Sequence, residues 1–488
     1  MKALLVSPEC FPLVKTGGLA DVAGALPLAL APLGVETRVL LPAYPGMREQ
    51  LRGARKVAAL PDLFGGDGAL VAGTTTNGLH MLLLEAPHLF DRKGGGPYIG
   101  PDGKDWPDNH LRFGALSWVG AQLALGRIGS WRPDVLHLHD WQAALAAAYV
   151  HGAKLPAKQT RPGTLLTIHN LAFQGVFAHD LGKQLRLPPT ALDHDGIEYW
   201  GNLSFLKAGV QWCDLVNTVS PTYAREILTP DLGMGMDGLL RHRSKVLSGI
   251  VNGIDDEVWN PSTDPHIEAN YSAERLDTKA ANKTALQIEL GLHVRVDVPL
   301  FCVITRLTSQ KGLDLLLEAM HVLHARGAQL AVLGSGERDL QDAFRREAER
   351  HHGQVSVVIG YDEPLSHRLQ AGSDAIIVPS RFEPCGLTQL YGLRYGTLPV
   401  VSRVGGLADT VVDANESALR DGVATGFQFS PVDAWHLSSA LDRACDLFAD
   451  KLAWRRVQKR AMTRDVGWGV AAAAYLDLYR KLAPTKPA

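Results

Sequence analysis

Short apolar runs recur along both halves of this chain, and each ends in a polar or glycine-rich loop that is usually followed by a helical pattern. In the first half the runs lie at residues 3–9, 37–44, 80–87, 135–140, 164–170 and 215–220. In the second half they lie at residues 300–307, 328–336, 355–361, 375–380 and 398–406. Runs that are apolar on both faces and alternate with helices are typical of parallel strands covered on each side. Both halves are therefore predicted to be doubly wound α/β domains of the Rossmann type.

The chain length and one irregular stretch place the predicted domain boundary. At 488 residues the chain exceeds the size at which a single core stops growing, so two domains are expected. A Pro/Asp/Asn-rich stretch without strong periodicity follows "GIVNGID" at residues 249–255. The predicted organisation is an N-terminal domain over 1–248, a C-terminal domain over 249–460 and an amphipathic C-terminal helix within 461–488.

Net charge and cysteine use narrow the class of partner and compartment. The formal net charge of −2 offers no electrostatic basis for binding nucleic acid or an anionic membrane. The five cysteines are scattered and none forms a C-x-x-C pair, which argues for a reducing compartment and against a disulfide framework or a thiolate zinc site. No apolar run approaches the length of a membrane span or a signal peptide. A cytoplasmic protein is expected, and a neutral polymer or a small charged metabolite stays open as its partner.

A glycine loop, "KTGG", begins at Lys15 and follows the first predicted strand. Gly17 and Gly18 allow close backbone approach, and the helix that follows presents free N–H groups to an anion. Lys15 adds a point charge that suits a phosphate. The spacing matches neither G-x-G-x-x-G nor a Walker A loop, which disfavours a dehydrogenase or a kinase. A plain tight turn before a helix explains the same residues about equally well.

Histidines end two further predicted strands of the first half. His169, followed by Asn170, closes an apolar strand and is predicted to point into a cleft or onto its rim. His137 and His139 would share one strand face. They lack an acidic third ligand at a recognisable spacing, so satisfied strand-end polar groups are favoured over a metal site.

Charged residues follow two predicted strands of the second half. Arg306 and Lys311 at one strand end suit a diphosphate whose charge grows as it leaves a sugar, although two surface cations are the commoner explanation of such a pair. Glu383 follows another buried strand, and a Pro-Cys-Gly turn then opens a helix with free amides at residues 386–388. Two Rossmann-like domains facing each other across a cleft, with phosphate sites and few nucleophiles, indicate group transfer from a nucleotide-activated donor.

Several long segments make the family recognisable. They are "KTGGLADVAGALP", "HLHDWQAAL", "TIHNLAFQGVF", "GIVNGIDDEVWNP", "ITRLTSQKGLDLLLEA" and "RFEPCGLTQLYGLRYGTLPVVSRVGGLADTV". In this order, from residue 1 to about residue 480, the chain closely resembles bacterial glycogen synthases of the ADP-glucose-using type, which are related to plant starch synthases. The resemblance is to glycosyltransferase family five.

The resemblance implies a fold and a reaction. The fold is GT-B, with two Rossmann-like domains facing across a deep cleft and a C-terminal helix that crosses back to the first domain. The reaction transfers glucose from ADP-glucose to the non-reducing end of an α-1,4-glucan, with retention at the anomeric carbon. ADP-glucose and the glucan are the implied partners, and no metal or other cofactor is implied. A related transferase that uses UDP-glucose and a catalytically silent glucan-binding protein remain the alternatives.

The resemblance also implies roles for individual residues. Residues expected to bind the donor, with Tyr361 against adenine and Asp21 on the ribose, are Lys15, Gly17, Gly18, Asp21, Tyr361, Cys385, Gly386, Leu387 and Thr388. Residues expected at the reacting centre, with the two cations neutralising the leaving ADP and the histidine on the glucose 6-hydroxyl, are Glu383, His169, Arg306, Lys311 and Asp140. Residues expected along the sugar and acceptor side are Glu9, Tyr98, Asn170 and Asn252.

The sequence departs from related enzymes at one informative position. Many GT-B relatives carry a Glu-x7-Glu pair, but the eighth residue after Glu383 is Tyr391, which favours the bacterial-type synthase.

A retaining double displacement needs a carboxylate opposite the leaving group. No motif offers one, so front-face attack assisted by the departing phosphate is predicted.

One string, Gly-Gly-Leu-Ala-Asp, occurs twice, at residues 17–21 and 405–409. Each copy follows a predicted strand and opens a predicted helix, one in each domain. The first copy is expected to face the donor. The second is expected near the Glu383 loop, where a direct ligand contact is a hypothesis.

Overall fold

The computed structural model describes residues 1–157 and 159–483, which form two compact units. Unit one comprises residues 1–253 and the described residues from 468 onward, and unit two comprises residues 254–467. The predicted first boundary, at residue 248, falls inside a strand of unit one that runs from Leu247 to Gly249. Because that strand pairs with a neighbour in the same sheet, the division lies a few residues later, after Gly253.

Unit one is built on a large, mostly parallel sheet. Its strands are β1 (Lys2–Val6), β2 (Glu36–Pro42), β3 (Arg52–Leu60), β4 (Gly68–Thr74), β5 (His80–Glu85), β6 (Val135–His139), β7 (Gly163–Ile168), β8 (Val176–Ala178), β9 (Glu198–Tyr199), β10 (Asn202–Ser204), β11 (Leu215–Thr218) and β12 (Leu247–Gly249). Within the described residues the main sheet has the order β12-β11-β7-β6-β1-β2-β5-β4-β3, and β8, β10 and β9 form a small separate sheet. Its helices are α1 (Gly18–Leu30), α2 (Pro87–Phe90), α3 (Asn109–Ala124), α4 (Asp140–Ala144), α5 (Ala146–His151), α6 (Phe205–Trp212), α7 (Pro221–Glu226) and α8 (Asp237–His242).

Strand β1 shows why this sheet is covered on both faces. Leu4 and Val6 belong to one buried cluster, whereas Ala3 and Leu5 belong to another. Successive side chains of a strand point to opposite faces, so each face of the sheet packs against its own layer of helices. The prediction of a doubly wound domain is confirmed for this unit.

The far edge of the same sheet departs from the predicted all-parallel pattern. Strands β3 and β4 pair antiparallel with each other, and β4 pairs antiparallel with β5. Most of β3 is exposed or half-buried, so it lacks the continuous apolar run on which the prediction relied. An edge hairpin of this kind needs only one covered face, which is why its sequence carries a weaker signal.

Unit two is a second doubly wound domain. Its strands are β13 (Leu300–Ile304), β14 (Gln329–Gly334), β15 (Val355–Ile359), β16 (Ala375–Val378), β17 (Leu398–Ser402) and β18 (Phe427–Phe429), and all their pairings are parallel. The order within the described residues is β15-β14-β13-β16-β17-β18. Its helices are α9 (Lys279–Glu289), α10 (Leu313–Ala325), α11 (Arg338–Arg350), α12 (Glu363–Gly372), α13 (Thr388–Tyr395), α14 (Gly405–Thr410), α15 (Glu416–Arg420), α16 (Ala434–Ala449) and α17 (Lys451–Met462).

The last described helix, α18 (Trp468–Leu482), belongs to unit one although it follows unit two in the chain. Tyr475 and Tyr479 are fully buried in the same apolar cluster as Ala3 and Leu5 of β1. Their hydroxyls hydrogen-bond to Asn217 (3.1 Å) and His137 (2.8 Å) in the main sheet. The predicted C-terminal segment began at residue 461, but α17 continues to Met462, and α18 starts only at Trp468. No helix in the described part of the chain is both long and apolar enough to span a membrane.

Candidate active site

Among the parallel strands of each main sheet the strand order reverses at one strand, and most of the candidate residues lie near it. In unit one β1 lies between β2 and β6, and in unit two β13 lies between β14 and β16. Ligands of open parallel sheets bind at the carboxyl ends of strands beside such a switch point. We define the unit-one cluster as residues after β1, β6 and β7 together with Tyr98, which lies between α2 and α3 and bonds to Glu9. Its members are Glu9, Lys15, Gly17, Asp21, Tyr98, Asp140 and His169. The residues after β13 and β16 form the unit-two cluster, comprising Arg306, Lys311, Glu383 and residues 385–388.

Glu9 holds the glycine loop of unit one in place. Its buried carboxylate accepts hydrogen bonds from the Thr16 backbone N–H and from the Thr16 hydroxyl, the latter at 2.5 Å. The Tyr98 hydroxyl donates to the same carboxylate. Burial, together with the Glu9 charge, raises the pKa of Tyr98 well above its usual value, so the phenol remains protonated and a donor. Glu9 and Tyr98 therefore act on the loop, and the loop presents Lys15 and Gly17.

Lys15 and Gly17 lie at the exposed side of this loop. The Lys15 ammonium forms an ion pair with Asp21 at 2.8 Å, which links the two residues expected to meet the diphosphate and the ribose. Gly17 precedes helix α1 in an extended conformation (φ −161°), and a Cβ built on it would meet no atom of the chain within 4 Å. Gly18, the first residue of α1, is exposed as well. Neither packing nor backbone torsion within the chain demands glycine at residue 17.

Asp140 starts helix α4 in the left-handed region, with φ +57°. A non-glycine residue with this torsion is strained, and such strain clusters at functional sites. Its buried Oδ1 accepts a 2.6 Å hydrogen bond from the His169 backbone N–H. Burial raises the pKa of Asp140 to about 7 despite the backbone donors from His169 and Asn170 that oppose the shift. The carboxyl thus connects the carboxyl ends of β6 and β7.

Three histidine rings form a row beside Asp140. His137 lies 4.1 Å from His139, and His139 lies 5.3 Å from His169, between ring centroids. His137 is satisfied by Tyr479 and Thr167, at 2.8 and 2.7 Å, as expected of a core histidine. His139 Nδ1 is hydrogen-bonded to His169 Nε2 at 3.0 Å, which leaves His169 Nδ1 as the ring nitrogen available to a ligand.

Burial keeps this row of histidines uncharged. It lowers the pKa of His137 and of His169 to about 3, and it holds the pKa of His139 well below its usual value. At neutral pH, His169 can therefore offer a hydrogen bond to a substrate but no positive charge.

Two amide side chains expected on the sugar and acceptor side lie in different settings. Asn170 follows His169, and its Oδ1 caps a turn by accepting the Ala172 N–H at 3.0 Å. Asn252 is buried at the end of unit one, and its Oδ1 has no hydrogen-bond partner within the described residues. Asn252 is therefore a polar group that a ligand or water can satisfy.

The unit-two cluster contains two cations, and within the described residues only Lys311 forms an ion pair. Lys311 ends a short 3₁₀ turn and pairs with Glu383 at 2.5 Å, with both side chains largely buried. The Ser380 hydroxyl adds a 2.9 Å hydrogen bond to the same Glu383 oxygen. Arg306, at the carboxyl end of β13, is exposed and forms no ion pair within the described part of the chain. Arg306 therefore supplies the free positive charge of this cluster.

The loop at residues 383–388 turns at a glycine and is fixed by the side chain of Gln389. Gly386 has φ +74° and is followed by α13, whose first amides have no acceptor within the helix. Cys385 is buried, and Leu387 and Thr388 form the junction with the helix. The side-chain amide of Gln389 donates to the carbonyls of Cys385 and Gly386 at 3.0 and 2.9 Å, which fixes the loop.

The second Gly-Gly-Leu-Ala-Asp string packs directly against this loop. Gly405 has φ +41°, and a Cβ there would stand 2.0 Å from the Glu383 carbonyl oxygen. A Cβ on Gly406 would stand 2.2 Å from the Cys385 carbonyl oxygen, and the Gly406 N–H donates to Glu383 at 3.0 Å. Backbone atoms of the chain fill the space beside both glycines. The geometry therefore gives no support to a direct ligand contact through them.

Two tyrosines complete the unit-two surroundings. Tyr361, after β15, is 74% exposed, and its hydroxyl donates to Glu363 at 2.8 Å. Tyr391, at the position where related enzymes carry a second Glu, stacks on Trp259 with centroids 3.8 Å apart. Tyr391 is therefore part of an aromatic stack in unit two.

Several residues that hold these clusters together are not among the predicted site residues. They are Thr16, Ser380 and Gln389, and each lies within a few residues of a predicted one. The sequence pattern predicts His139 only as a metal ligand or a satisfied strand end. Its position on β6, beside Thr167 of β7, could have indicated the contact with His169.

Family models and curated relatives match most of the chain. Residues 2–242 match the family model described as starch synthase catalytic domain, and residues 292–453 match the one described as glycosyl transferases group 1. A curated glycogen synthase of Roseobacter denitrificans is 55% identical over 99% of both chains. A glycogen synthase 2 of Bradyrhizobium diazoefficiens is 53% identical over 100% of this chain and 99% of its own.

Solved structures agree in fold. The catalytic domain of starch synthase IV from Arabidopsis thaliana, bound to ADP and acarbose, superposes with a TM-score of 0.88 at 32% identity, over 99% of both chains. A sucrose-phosphate synthase from Thermosynechococcus elongatus shares the fold at a TM-score of 0.58 and 18% identity, over 99% of this chain and 98% of its own. The predicted GT-B fold is thereby confirmed. Since the curated relatives are more than half identical over nearly their whole length, the chain belongs to the glycogen and starch synthase family of glycosyltransferases.

Proposed function

We propose that this protein is a retaining glucosyltransferase that moves glucose from ADP-glucose to the non-reducing end of an α-1,4-glucan. The observation that carries the proposal is the unit-two cluster, in which an uncommitted Arg306 and a buried Lys311–Glu383 pair lie at the sheet's switch point. The relatives that are more than half identical bear the name glycogen synthase, and a starch synthase relative was solved with ADP and acarbose. Both names suggest a nucleotide sugar and a glucan as substrates.

The unit-two cluster is assigned to the ADP end of the donor. Arg306 and Lys311 stabilise the negative charge that develops on the diphosphate as the glycosidic bond breaks. The amides of residues 386–388 at the start of α13 hold a phosphate or sugar oxygen, because a helix N-terminus favours negative charge. Tyr361 offers an exposed ring on which adenine can stack. Glu383 contacts the transferred glucose, and its ion pair with Lys311 keeps that cation in place.

The unit-one cluster is assigned to the donor and acceptor sugars. His169 donates or accepts a hydrogen bond at the glucose 6-hydroxyl as a neutral ring, in keeping with its low pKa. Asp140 orients His169 through the backbone, and Asn170 and Asn252 offer amide groups to sugar hydroxyls. Lys15 and the open backbone at Gly17 contact the donor, with Asp21 oriented by its ion pair to Lys15.

The proposed mechanism is front-face attack. The acceptor 4-hydroxyl loses its proton to the departing phosphate, while the anomeric carbon passes through an oxocarbenium-like state. The four carboxylates of the two clusters, Glu9, Asp21, Asp140 and Glu383, already accept hydrogen bonds from their own unit. This engagement supports positioning roles for them over that of a covalent nucleophile. We further propose that the transfer requires no metal and occurs in the cytoplasm.

The test is transfer of radiolabelled glucose onto glycogen from ADP-glucose and from UDP-glucose, with Lys15→Ala assayed in parallel. The proposal expects strong incorporation from ADP-glucose and a large loss in the variant. Preference for UDP-glucose would overturn the nucleotide assignment while retaining glucosyl transfer. Absence of incorporation from both donors would favour a catalytically silent glucan-binding protein.

A further inference from the structure

We propose that unit two carries a binding site for a divalent transition-metal ion such as Zn²⁺, formed by His324, Glu347 and His351. His324 lies in the last turn of α10, Glu347 lies in the last turn of α11, and His351 directly follows α11. One ligand atom from each residue falls within 4.8 Å of the other two. Two imidazoles and one carboxylate are ligands that zinc and related ions accept.

The distances approach those of a coordination sphere. His324 Nε2 lies 3.5 Å from Glu347 Oε2, and His351 Nε2 lies 3.7 Å from the same oxygen. Ligand atoms around a tetrahedral zinc ion stand about 3.3 Å apart, given metal–ligand bonds of about 2.0–2.1 Å. An ion therefore needs side-chain movements of only a few tenths of an ångström on these two edges. The imidazole rings are stacked, with centroids 3.6 Å apart, so binding must also splay them slightly.

Gln354 indicates which nitrogen of His324 is the ligand. The Gln354 side-chain N–H donates to the Ala328 carbonyl at 2.8 Å, so its Oε1 faces His324 Nδ1, at 3.4 Å. An amide oxygen can only accept, so Nδ1 carries the proton. In the neutral ring, Nε2 then holds a lone pair that faces the carboxylate of Glu347. Metal-bound histidines are commonly oriented by such a partner on the other nitrogen.

The same nitrogen is a buried polar atom without a partner. His324 Nε2 makes no hydrogen bond within the described residues. A lone pair facing a carboxylate oxygen is unfavourable unless a cation or a proton lies between them. Arg350 approaches the other Glu347 oxygen, Oε1, at 3.1 Å and leaves Oε2 to the two rings. An ion bound by His324, Glu347 and His351 satisfies all three groups at once.

The metal site lies away from the residues proposed for transfer. Helix α10 begins after the Lys311 turn, at the carboxyl end of β13, and runs back to His324 before β14 begins. His324 is therefore at the opposite edge of the unit-two sheet from Arg306 and Lys311. The ends of α10 and α11 also present carbonyl groups, which favour a nearby cation. Binding is inferred to link these two helices and to stabilise unit two without entering the transfer reaction.

The experiment uses the full chain without a histidine tag. Co²⁺ is titrated in as a spectroscopic probe for Zn²⁺, and visible absorption reports coordination and its geometry. The test variants are the double variant His324→Gln/His351→Gln and the single variant Glu347→Gln. The matched controls are His321→Gln and His352→Gln, which alter exposed histidines near the site.

The expected result is one Co²⁺ per chain with d–d bands that Zn²⁺ displaces, kept in both controls and lost in the double variant. Zn²⁺ should raise the Tm of the wild type and the controls but not that of the double variant. Gln354→Leu should weaken binding about 10- to 100-fold, as is usual for loss of a group that orients a ligand. Circular dichroism and glucosyl transfer without added metal, unchanged in every variant, show that the fold is intact.

Two outcomes would overturn the inference. One is Co²⁺ binding that is equally strong in the double variant, which would locate the ion elsewhere. The other is absence of stoichiometric Co²⁺ binding to the wild-type chain.

Discussion

The two copies of Gly-Gly-Leu-Ala-Asp share five letters and begin helices in both units, yet the chain uses them in opposite ways. At residue 17 the glycine is extended, and the space where a Cβ would stand is open. At residues 405 and 406 that space is filled by the carbonyls of Glu383 and Cys385. The first copy leaves room beside a helix start, whereas the second holds another loop by close backbone contact.

A glycine string therefore predicts that another group can approach the backbone closely, but it does not predict which group does so. In unit one the loop is held from outside by Glu9, and its open face remains for a ligand. In unit two the glycine string supports the loop that contains Glu383. Glu383 in turn forms the ion pair with Lys311. Substitutions should therefore separate binding effects from folding effects.

The largest effect is expected at the two cations of the unit-two cluster. Arg306→Ala and Lys311→Ala should each raise the barrier to transfer by about 2–4 kcal/mol, by analogy with other preorganised charge stabilisers. Arg306 is exposed and outside any ion pair in the described residues, so its loss should leave Tm unchanged. Lys311→Ala should also lower Tm, because it leaves the buried Glu383 carboxylate unpaired. Turnover near wild type in both variants would contradict the assignment.

Gly406→Val should break the second copy as a support. The new side chain meets backbone atoms of Cys385, which cannot move aside as a flexible side chain can. A loss of about 3 kcal/mol in the free energy of unfolding is expected from overpacking. Urea denaturation measures this loss, and transfer assays should show that activity falls with it. Wild-type stability in this variant would mean that the 383–388 loop is not held by close contact.

The buried, uncharged histidines of unit one should make stability depend on pH, whereas an exposed histidine should not. The pKa of His137 is lowered to about 3 in the fold, so between about pH 3 and pH 6.5 the unfolded chain binds more protons. Stability is therefore lost as the pH falls through this window, by about 2 kcal/mol at pH 5 for this one ring. His137→Gln should reduce the difference in unfolding free energy between pH 7.5 and pH 5 by that amount. The control is His80→Gln, at an exposed position, which should leave the difference unchanged.

The smallest effect on stability is expected at the first copy. Gly17→Ala places a methyl group in open space on an extended backbone, so the free energy of unfolding should change by less than about 0.5 kcal/mol. If the open space admits the donor, the KM for ADP-glucose should nevertheless rise. An unchanged KM would show that Gly17 is only a helix start, and the contrast between the two copies would then lie in packing alone.

The two doubly wound domains, the family and the neighbourhood of the site could all be predicted from the amino-acid pattern. Apolar runs such as those of β1 and β13 are covered on both faces, so their composition alone reveals a buried parallel strand. The loops after these strands then had to lie at one edge of each sheet. The hairpin of β3 and β4 escaped prediction because an exposed edge strand places weaker demands on its residues.

Which polar groups meet could not be predicted, because it depends on how distant segments pack. Lys311 pairs with Glu383, 72 residues away, and Asp140 accepts from His169, 29 residues away, because parallel strands bring distant loops together. The same holds for His324 and Glu347, which face each other from two helices. Packing also gives the two glycine strings different roles, because different neighbours lie beside identical local sequences. Hydrophobic periodicity is local and can be read along the chain, whereas the partner of a charge or of an absent side chain depends on packing across it.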